Sequence, residues 1–479
     1  MRKTLIIMAS LALSGCVTLP SMKQIKPDLP TAWLADSDPA TRPDSVTSDW
    51  WQAYNDPILN QLITEALEHN RDLKLAAARI EEMRATLGLA DADRYPSLQV
   101  GANAGRTRVT TKGTMPMTTP VNNNFKLNLQ AAWEVDIWGR YREASNAARA
   151  ELLATEYGRA AVNSSLISAV TQSYFALTAL DASANLTQGT LANRKEAVTL
   201  HRVRFEAGVA SELALRQAEA DLASVEINLA QLARQIRQQE LALALLLGRE
   251  PRAIMQDSIS RNANLDSIAL PPAVPAGLPS DLLLRRPDLR QAEQNLFAAQ
   301  ARIREAGAAI YPNLSLTANL GTESKALSDL FSGPAGIWGL GVGLTQTLFN
   351  AGRTEAAIKA ADARQDQALI AYEQAVQVAF KEVLDALVVH REARETRVAE
   401  AKQVIALKRA AELAGLRYQA GLTNLLEVLD AKRSLLQAEQ GGIEAQRAQL
   451  AATADLFKAL GGGWKQVLTP VETSQTSNR

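Results

Sequence analysis

Histidine and cysteine, which often act in catalysis and bind transition metals, are few and far apart in this 479-residue chain. The histidines are His69, His201 and His390, and the only cysteine is Cys16. Zinc sites and iron–sulfur clusters need several such ligands at short, regular spacings, which this sequence does not offer. Chemistry would therefore have to come from carboxylates or hydroxyls.

Two further features argue against an enzyme and against a nucleic-acid-binding protein. The 51 basic residues balance the 51 acidic residues, so the chain has no excess positive charge with which to neutralise phosphates. Gly339, Gly341 and Gly343 alternate within a strand-like pattern and lack the helix that follows the glycines of a dinucleotide-binding loop. We therefore predict no enzymatic activity, no bound metal and no nucleic-acid partner.

The lone cysteine lies at the end of an export signal. Residues 1–15 combine a short basic start with an apolar stretch too short to span a bilayer, which is typical of a signal peptide. Leu13-Ser14-Gly15-Cys16 matches the bacterial lipobox, in which the thiol receives a diacylglyceryl group. We predict that Cys16 carries diacylglycerol and an N-acyl chain, and that Val17 directs the lipoprotein to the outer membrane. The alternative is an unmodified, buried cysteine.

The rest of the chain contains an internal duplication. Motifs ending in glycine recur at an offset of 213 residues, for example at Gly208 and Gly421. The Tyr-Pro pairs at 95–96 and 311–312 recur at an offset of 216, so the first copy has three additional residues between these motifs. A repeat of this length indicates two copies of a whole subdomain.

Each copy begins with a strand pattern. Residues 125–137 alternate between apolar and polar side chains, and a membrane-spanning strand needs only about 9–11 residues. Residues 338–345 show a second such alternation in the second copy, and weaker alternation at 100–104 and 314–320 completes two predicted β-hairpins. Four strands cannot close a barrel, and open edges in lipid leave backbone groups unpaired, so closure requires other chains. Three copies would supply twelve strands; the alternative is the edge of a soluble β-sandwich.

Each copy continues with long helices. No proline occurs between Pro120 and Pro251 or between Pro334 and Pro470. A helix over residues 139–204 would be roughly 99 Å long, which is several times the thickness of a bilayer. Apolar residues step by three, four or seven along 222–236 and 429–457, as in coiled coils.

These patterns divide the chain into nine predicted segments. They are a signal peptide (1–15), a lipid-anchored tether (16–56), short helices (57–94), a first β-hairpin (95–137), a first helical hairpin (138–248), a segment between the copies (249–310), a second β-hairpin (311–350), a second helical hairpin (351–460) and a C-terminal tail (461–479). The glycines at 208 and 421 are suited to left-handed helix ends at the far tips of the two helical hairpins.

Several motifs resemble one known family. Residues 278–288 (LPSDLLLRRPD) are the most specific match, and 51–57 (WQAYNDP) and 134–140 (EVDIWGR) support it. The sequence is similar to the TolC-like outer-membrane efflux proteins, and more closely to their lipidated branch, which serves RND-type multidrug pumps. The resemblance implies an α+β membrane protein with a trimeric 12-stranded β-barrel, four strands per chain, continuous with a long periplasmic α-helical barrel. It also implies that the segments 57–94, 249–310 and 461–479 are equatorial, in a band around the middle of the duct.

The resemblance also implies a function. Members of this family are passive exit ducts that carry drugs or other small toxic compounds across the outer membrane. They form homotrimers and dock to a periplasmic adaptor and an inner-membrane RND pump, which supplies the energy. By position, the adaptor-facing tips are Arg204, Phe205, Gly208, Arg417, Tyr418 and Gly421, and the periplasmic gate is formed by Leu426, Asp430 and Arg433. Threefold symmetry would make Asp430 a ring of three carboxylates, which repel one another and attract cations.

The sequence departs from the family pattern at four positions. Leu284 replaces a common glutamate, and Thr347 replaces a common proline. Ala214 and Thr423 stand where some relatives carry an aspartate and an arginine that latch the hairpins together, so no such latch is assigned.

Three alternatives remain open from the sequence. The chain could be a duct for type I protein secretion or a duct for metal efflux, and Met115 and Met117 are a weak indication of soft-metal contact. It could also be a periplasmic adaptor lipoprotein, although an adaptor needs only one helical hairpin.

Overall fold

The computed structural model describes residue 30 and residues 48–110, 121–256, 258–262, 265–271, 280 and 282–464. The predictions for the signal peptide, Cys16, most of the tether, Met115, Met117 and the last part of the tail therefore lie outside the described residues. The chain divides into two compact units. We call the described parts of 79–156 and 291–373 the strand unit, and the described parts of 27–78, 157–290 and 374–479 the helical unit.

The strand unit contains one antiparallel sheet with its strands in sequence order. The strands are β1 (Ser97–Arg108), β2 (Val121–Val135), β3 (Asn313–Ser324) and β4 (Gly336–Thr345). β1 and β4 are therefore the edges of this sheet.

β2 differs from the strand expected at 125–137 at both ends. It begins at Val121, because three asparagines at 122–124 pair with the far end of β1. It stops before Ile137, because the backbone turns there into a helix. The Asp136 carboxylate accepts the N–H of Arg142 at 2.8 Å, and Gly139 has a φ of +79°.

The duplication extends to individual hydrogen bonds. In the first hairpin Ser97 lies opposite Ala132, and the equivalent residues of the second, Asn313 and Thr345, also lie opposite each other. The indole N–H of Trp133 donates to the carbonyl of Arg94 at 3.0 Å. At the equivalent positions, the side-chain N–H of Gln346 donates to the carbonyl of Ile310 at 2.9 Å. The two hairpins thus share one backbone register, although the side chains differ.

Helices make up the rest of both copies. Two of them are 67 residues long, about 100 Å at 1.5 Å per residue, and the two that return are 35 residues long. They are rich in Ala, Leu, Glu, Gln and Arg, which have the highest helix propensities. The helices are α1 (Pro57–His69), α2 (Arg71–Ala92), α3 (Arg140–Glu206), α4 (Glu212–Leu246), α5 (Pro251–Gln256), α6 (Leu282–Arg285), α7 (Pro287–Ala308), α8 (Arg353–Gln419) and α9 (Leu425–Ala459).

The core of the helical unit is built around a short 3₁₀ turn at Trp50–Tyr54. Trp50 stacks on Phe457 with ring centroids 5.3 Å apart, and Tyr54 meets the edge of Phe175 at 4.9 Å. The hydroxyl of Tyr54 donates to the carbonyl of Leu450 at 2.9 Å. The motif at 51–57, a family marker in the sequence, is therefore an aromatic anchor that ties the start of the described chain into the helices.

Asp56 links this anchor to α1 and α3. Its carboxylate accepts the N–H of Ile58 at 2.9 Å, which caps α1, and accepts the hydroxyl of Tyr174 at 2.6 Å. Burial, and next the hydrogen bond to Asp56, raise the pKa of Tyr174, so its hydroxyl remains a donor.

Arg286 explains the other family motif. This buried guanidinium bonds the carboxylates of Asp288 and Glu382 at 2.6 Å and donates to the carbonyl of Ala459 at 3.1 Å, at the end of α9. The adjacent Arg285 carbonyl accepts the indole N–H of Trp464 at 2.6 Å. The arginine pair thus joins the start of α7 to α8 and α9, whereas Leu284, where relatives carry glutamate, is 55% exposed.

Candidate functional site

The sheet of the strand unit has one apolar and one polar face. Leu129 lies opposite Val100 on β1 and opposite Leu320 on β3, and Trp338 on β4 continues the same row. The large side chains of the edge strands on this face are the most exposed; those of Trp338 and Leu340 are 77% and 79% exposed. Soluble proteins rarely leave so continuous an apolar surface uncovered.

The opposite face carries amide, hydroxyl and charged side chains. Asn128, Gln130 and Glu134 of β2 lie on it, as does Asn319 of β3. Lys126 pairs with Glu323 across the strands at 3.4 Å. A surface of this composition is suited to line a water-filled passage.

The alternating glycines of β4 lie on the polar face, and the structure shows why they have no side chains. A Cβ on Gly339 would lie 2.5 Å from Oδ1 of Asn319, and one on Gly341 would lie 2.7 Å from Oγ1 of Thr317. Real Cβ atoms do not approach so closely. The glycines make room for the polar side chains of β3, and they do not form a nucleotide-binding loop.

The predicted tips are two helix ends of the same type. Gly208 and Gly421 have φ values of +73° and +75°, which confirms the predicted left-handed ends. In each tip the residue after the glycine donates its N–H to the carbonyl of an arginine, Arg204 or Arg417, at 2.9 Å. Phe205 is exposed and Tyr418 is half-buried.

A histidine that the sequence analysis did not assign connects the two tips. His201, one turn before Arg204, is buried with its ring centroid 6.4 Å from that of Tyr418, and its Nδ1 atom has no hydrogen-bond partner. Burial, and next the charge of Arg204, lower the pKa of His201, so its neutral form is favoured.

The three predicted gate residues share one face of α9. Leu426, Asp430 and Arg433 follow one another by four and three residues, a spacing that aligns side chains on a helix. All three are exposed, and Leu426 is 53% exposed. This face is therefore free within the chain, and the residues are placed as a gate formed between copies would need. Their role as a gate remains a prediction.

A buried ion pair joins α3 and α4. The side chains of Arg194 on α3 and Asp221 on α4 are 2.5 Å apart, and each is only 5% exposed. Neither Nε of Arg194 nor Oδ2 of Asp221 has a hydrogen-bond partner of normal geometry, so the contact is chiefly electrostatic. Desolvation and then the charge of Arg194 lower the pKa of Lys432 on α9, while Asp221 acts in the opposite direction. No sequence motif indicated this cluster.

The two latch positions carry a threonine and an alanine. Thr423, just before α9, donates its hydroxyl to Glu427 in the first turn of that helix, and Ala214 has no polar side-chain atom.

In the described ranges, no helix is both long and apolar enough to cross a membrane. Nor does any group of three or more His, Cys, Asp or Glu side chains in that part of the chain form a metal-binding cluster.

Comparison with known proteins assigns the chain. The model of the family "Outer membrane efflux protein" matches residues 62–249 and 278–462, which include both helical hairpins and both β-hairpins. The chain belongs to this family. The predicted resemblance is therefore confirmed.

Relatives match over almost their whole length. The cation efflux system protein CusC of Escherichia coli K12 is 35% identical over 463 residues, which cover 96% of this chain and 99% of the relative. The solvent efflux pump outer membrane protein SrpC of Pseudomonas putida is also 35% identical, over 467 residues that cover 96% and 98%. The protein is thus an outer-membrane efflux component, as predicted.

Solved structures agree with the fold. The CmeC outer membrane channel of Campylobacter jejuni has a TM-score of 0.88 at 27% identity, with coverage of 94% of this chain and 96% of that one. The MtrE outer membrane channel of Neisseria gonorrhoeae has a TM-score of 0.83 at 33% identity, with coverage of 94% and 99%. These matches confirm the predicted α+β channel fold with four strands per chain.

Proposed function

We propose that three copies of this chain form a passive exit duct through the outer membrane. The observation that carries the proposal is the sheet of the strand unit, with its apolar face, its polar face and two free edges. In lipid, each unpaired backbone group costs several kcal/mol, so the edges must pair with other copies. Three four-stranded sheets give an even-numbered, twelve-stranded barrel with apolar residues outside and polar residues inside.

The length of the apolar row supports this arrangement. On β2 it runs from Phe125 to Val135, ten residue steps of about 3.4 Å. At a tilt of roughly 45° these steps span about 24 Å, close to the apolar band of about 25 Å in outer-membrane barrels. One sheet is therefore long enough to span the hydrocarbon core.

We further propose that the duct works as one part of a tripartite pump. The tips at Gly208 and Gly421 would contact a periplasmic adaptor, and an inner-membrane RND pump would drive transport. The lipid chains on Cys16 would hold the start of the chain at the membrane. The protein itself would catalyse no reaction.

We predict that Asp430→Ala raises single-channel conductance or weakens cation preference in planar bilayers. A ring of three carboxylates at a constriction would attract cations, and their removal would take away that field. Glu444→Ala is a suitable control, because Glu444 is an exposed carboxylate about four turns further along the same helix. Recordings for Asp430→Ala that match those of the parent and of the control would remove Asp430 from the gate.

The substrate class is tested in cells. We expect that deletion of the gene makes the cell hypersensitive to several unrelated small toxic compounds and increases retention of a fluorescent dye. Re-expression of the parent chain should restore resistance, and a Cys16→Ser chain tests the lipid anchor in the same assay. Sensitivity to a single metal would instead indicate a cation duct, as the name of CusC states for that relative. Normal susceptibility with loss of a secreted protein would indicate type I secretion.

A further inference from the structure

The internal duplication makes the two β-hairpins interchangeable in register. Adding 216 to residues of β1 and 213 to residues of β2 converts the observed pair Leu98 and Ala131 into Leu314 and Leu344. The second pair is also observed in the structure. The same conversion relates two hydrogen bonds: Trp133 to the carbonyl of Arg94, and Gln346 to the carbonyl of Ile310.

The junction between β2 and β3 shows how one hairpin joins the next. Across it, Ala131 lies opposite Ala318, and Leu129 lies opposite Leu320. This junction connects the last strand of one copy of the repeat to the first strand of the other. In a closed ring, β4 of one chain meets β1 of the next chain in the same relation.

The conversion therefore gives the register between chains. Adding 213 to Ala131 of β2 gives Leu344 of β4, and subtracting 216 from Ala318 of β3 gives Ala102 of β1 in the next chain. Leu344 is therefore expected opposite Ala102 of the next chain. In the same way, the pair Leu129 and Leu320 gives Val342 opposite Ala104 of the next chain. Large residues of β4 thus meet alanines of β1, so the side chains can interlock without a clash.

Exposure of the edge residues fits this assignment. Val342 and Leu344 are 75% and 70% exposed on the free edge of the sheet. Leu348, just beyond β4, is 89% exposed, and the same conversion places it opposite Leu98, which is 66% exposed. Continuing the ladder to Leu348 would cover the most exposed leucine of the described chain.

We propose that β4 of one chain pairs antiparallel with β1 of a second copy in the register of the β2–β3 junction, with Leu344 opposite Ala102, Val342 opposite Ala104 and Leu348 opposite Leu98. This inference rests on the proposed trimer, and it specifies the surface through which the copies associate.

Paired cysteine substitutions test the register. The chain that carries both Leu344→Cys and Ala102→Cys is purified in detergent and oxidised, and covalent species are resolved by non-reducing electrophoresis. We expect a covalent trimer, because each chain contributes both halves of a link. Cys16 is the only native cysteine, so the parent chain treated in the same way is the background control.

Slipped pairs serve as matched controls. Leu344→Cys combined with Val100→Cys or with Ala104→Cys keeps the same face of the sheet but moves the register by two residues. We expect these pairs to link at least about tenfold more slowly, because diagonal neighbours are about 7–8 Å apart and a disulfide needs Cβ atoms about 3.5–4.5 Å apart. Faster linking of a slipped pair would overturn the register.

The remaining outcomes separate the two proposals. A second pair, Val342→Cys with Ala104→Cys, should link like the first and replaces it if the first variant does not fold. If native mass spectrometry shows a trimer but neither cysteine pair links, the proposed register between β4 and β1 is wrong, whereas the proposed trimeric duct is retained. If native mass spectrometry shows that the parent chain purified in detergent is a monomer, both the register and the trimeric duct are wrong.

Discussion

Replacing Gly248 by alanine is expected to destabilise the helical unit by about 2–5 kcal/mol, the sum of left-handed backbone strain and overpacking. Gly248 has a φ of +70°, and a Cβ there would lie 2.3 Å from the carbonyl oxygen of His69 and 2.8 Å from the N of Asn70. Both atoms belong to the backbone between α1 and α2 and cannot move aside independently. The Asn70 side chain also donates to the carbonyl of Leu246 at 2.9 Å, so the strain would spread to the end of α4.

Gly208→Ala is the matched control for this prediction. Gly208 has a φ of +73°, but no described atom lies within 4 Å of the place where its Cβ would be. Gly208→Ala should therefore lower the free energy of unfolding only by the left-handed backbone strain, about 1–2 kcal/mol. Thermal unfolding followed by circular dichroism should show a clearly larger fall in Tm for Gly248→Ala than for Gly208→Ala. Equal shifts would mean that the contact with His69 is relieved at little cost.

Asp221→Ala is expected to lower the free energy of unfolding by about 3–5 kcal/mol, because it leaves the Arg194 guanidinium buried without its counter-charge. The double variant Arg194→Met with Asp221→Leu should recover most of this loss, since it replaces the pair by apolar side chains of similar size. Both variants can be compared with the parent by thermal unfolding in the same detergent.

Glu212→Ala is the matched control, because it removes an exposed ion pair where Asp221→Ala removes a buried one. Glu212 pairs with Arg216 at 3.2 Å on the same helix, but both side chains are more than 60% exposed. Water screens exposed pairs of this kind, so they contribute little to stability. An Asp221→Ala variant no less stable than Glu212→Ala would show that water reaches Arg194 in solution.

Much of the architecture could be predicted from periodicity and composition. The alternation of apolar and polar residues gave the strands and their two faces, and the proline-free windows gave the long helices. These signals are local, since each depends on residues that are neighbours on one strand or helix. The three gate residues share a face of α9 for the same reason.

The parts that the sequence did not reveal depend on contacts distant along the chain. Trp50 stacks on Phe457, and nothing near either residue indicates the other. Arg194 and Asp221 meet only because α3 and α4 lie side by side. The asparagines at the start of β2 have low strand propensity, and it is pairing with β1 that makes them part of the strand.

The shared register of the two β-hairpins has a consequence for the ancestry of the chain. Six separate half-length chains could form the same twelve-stranded ring with the strand pairings described above. Fusion of two halves would leave that ring intact and allow the halves to diverge. The buried pair Arg194 and Asp221 has Leu407 and Ser434 at the equivalent positions of the second half, so hairpins with and without a buried ion pair would alternate around the ring. A symmetric ancestral pore would have had no such alternation.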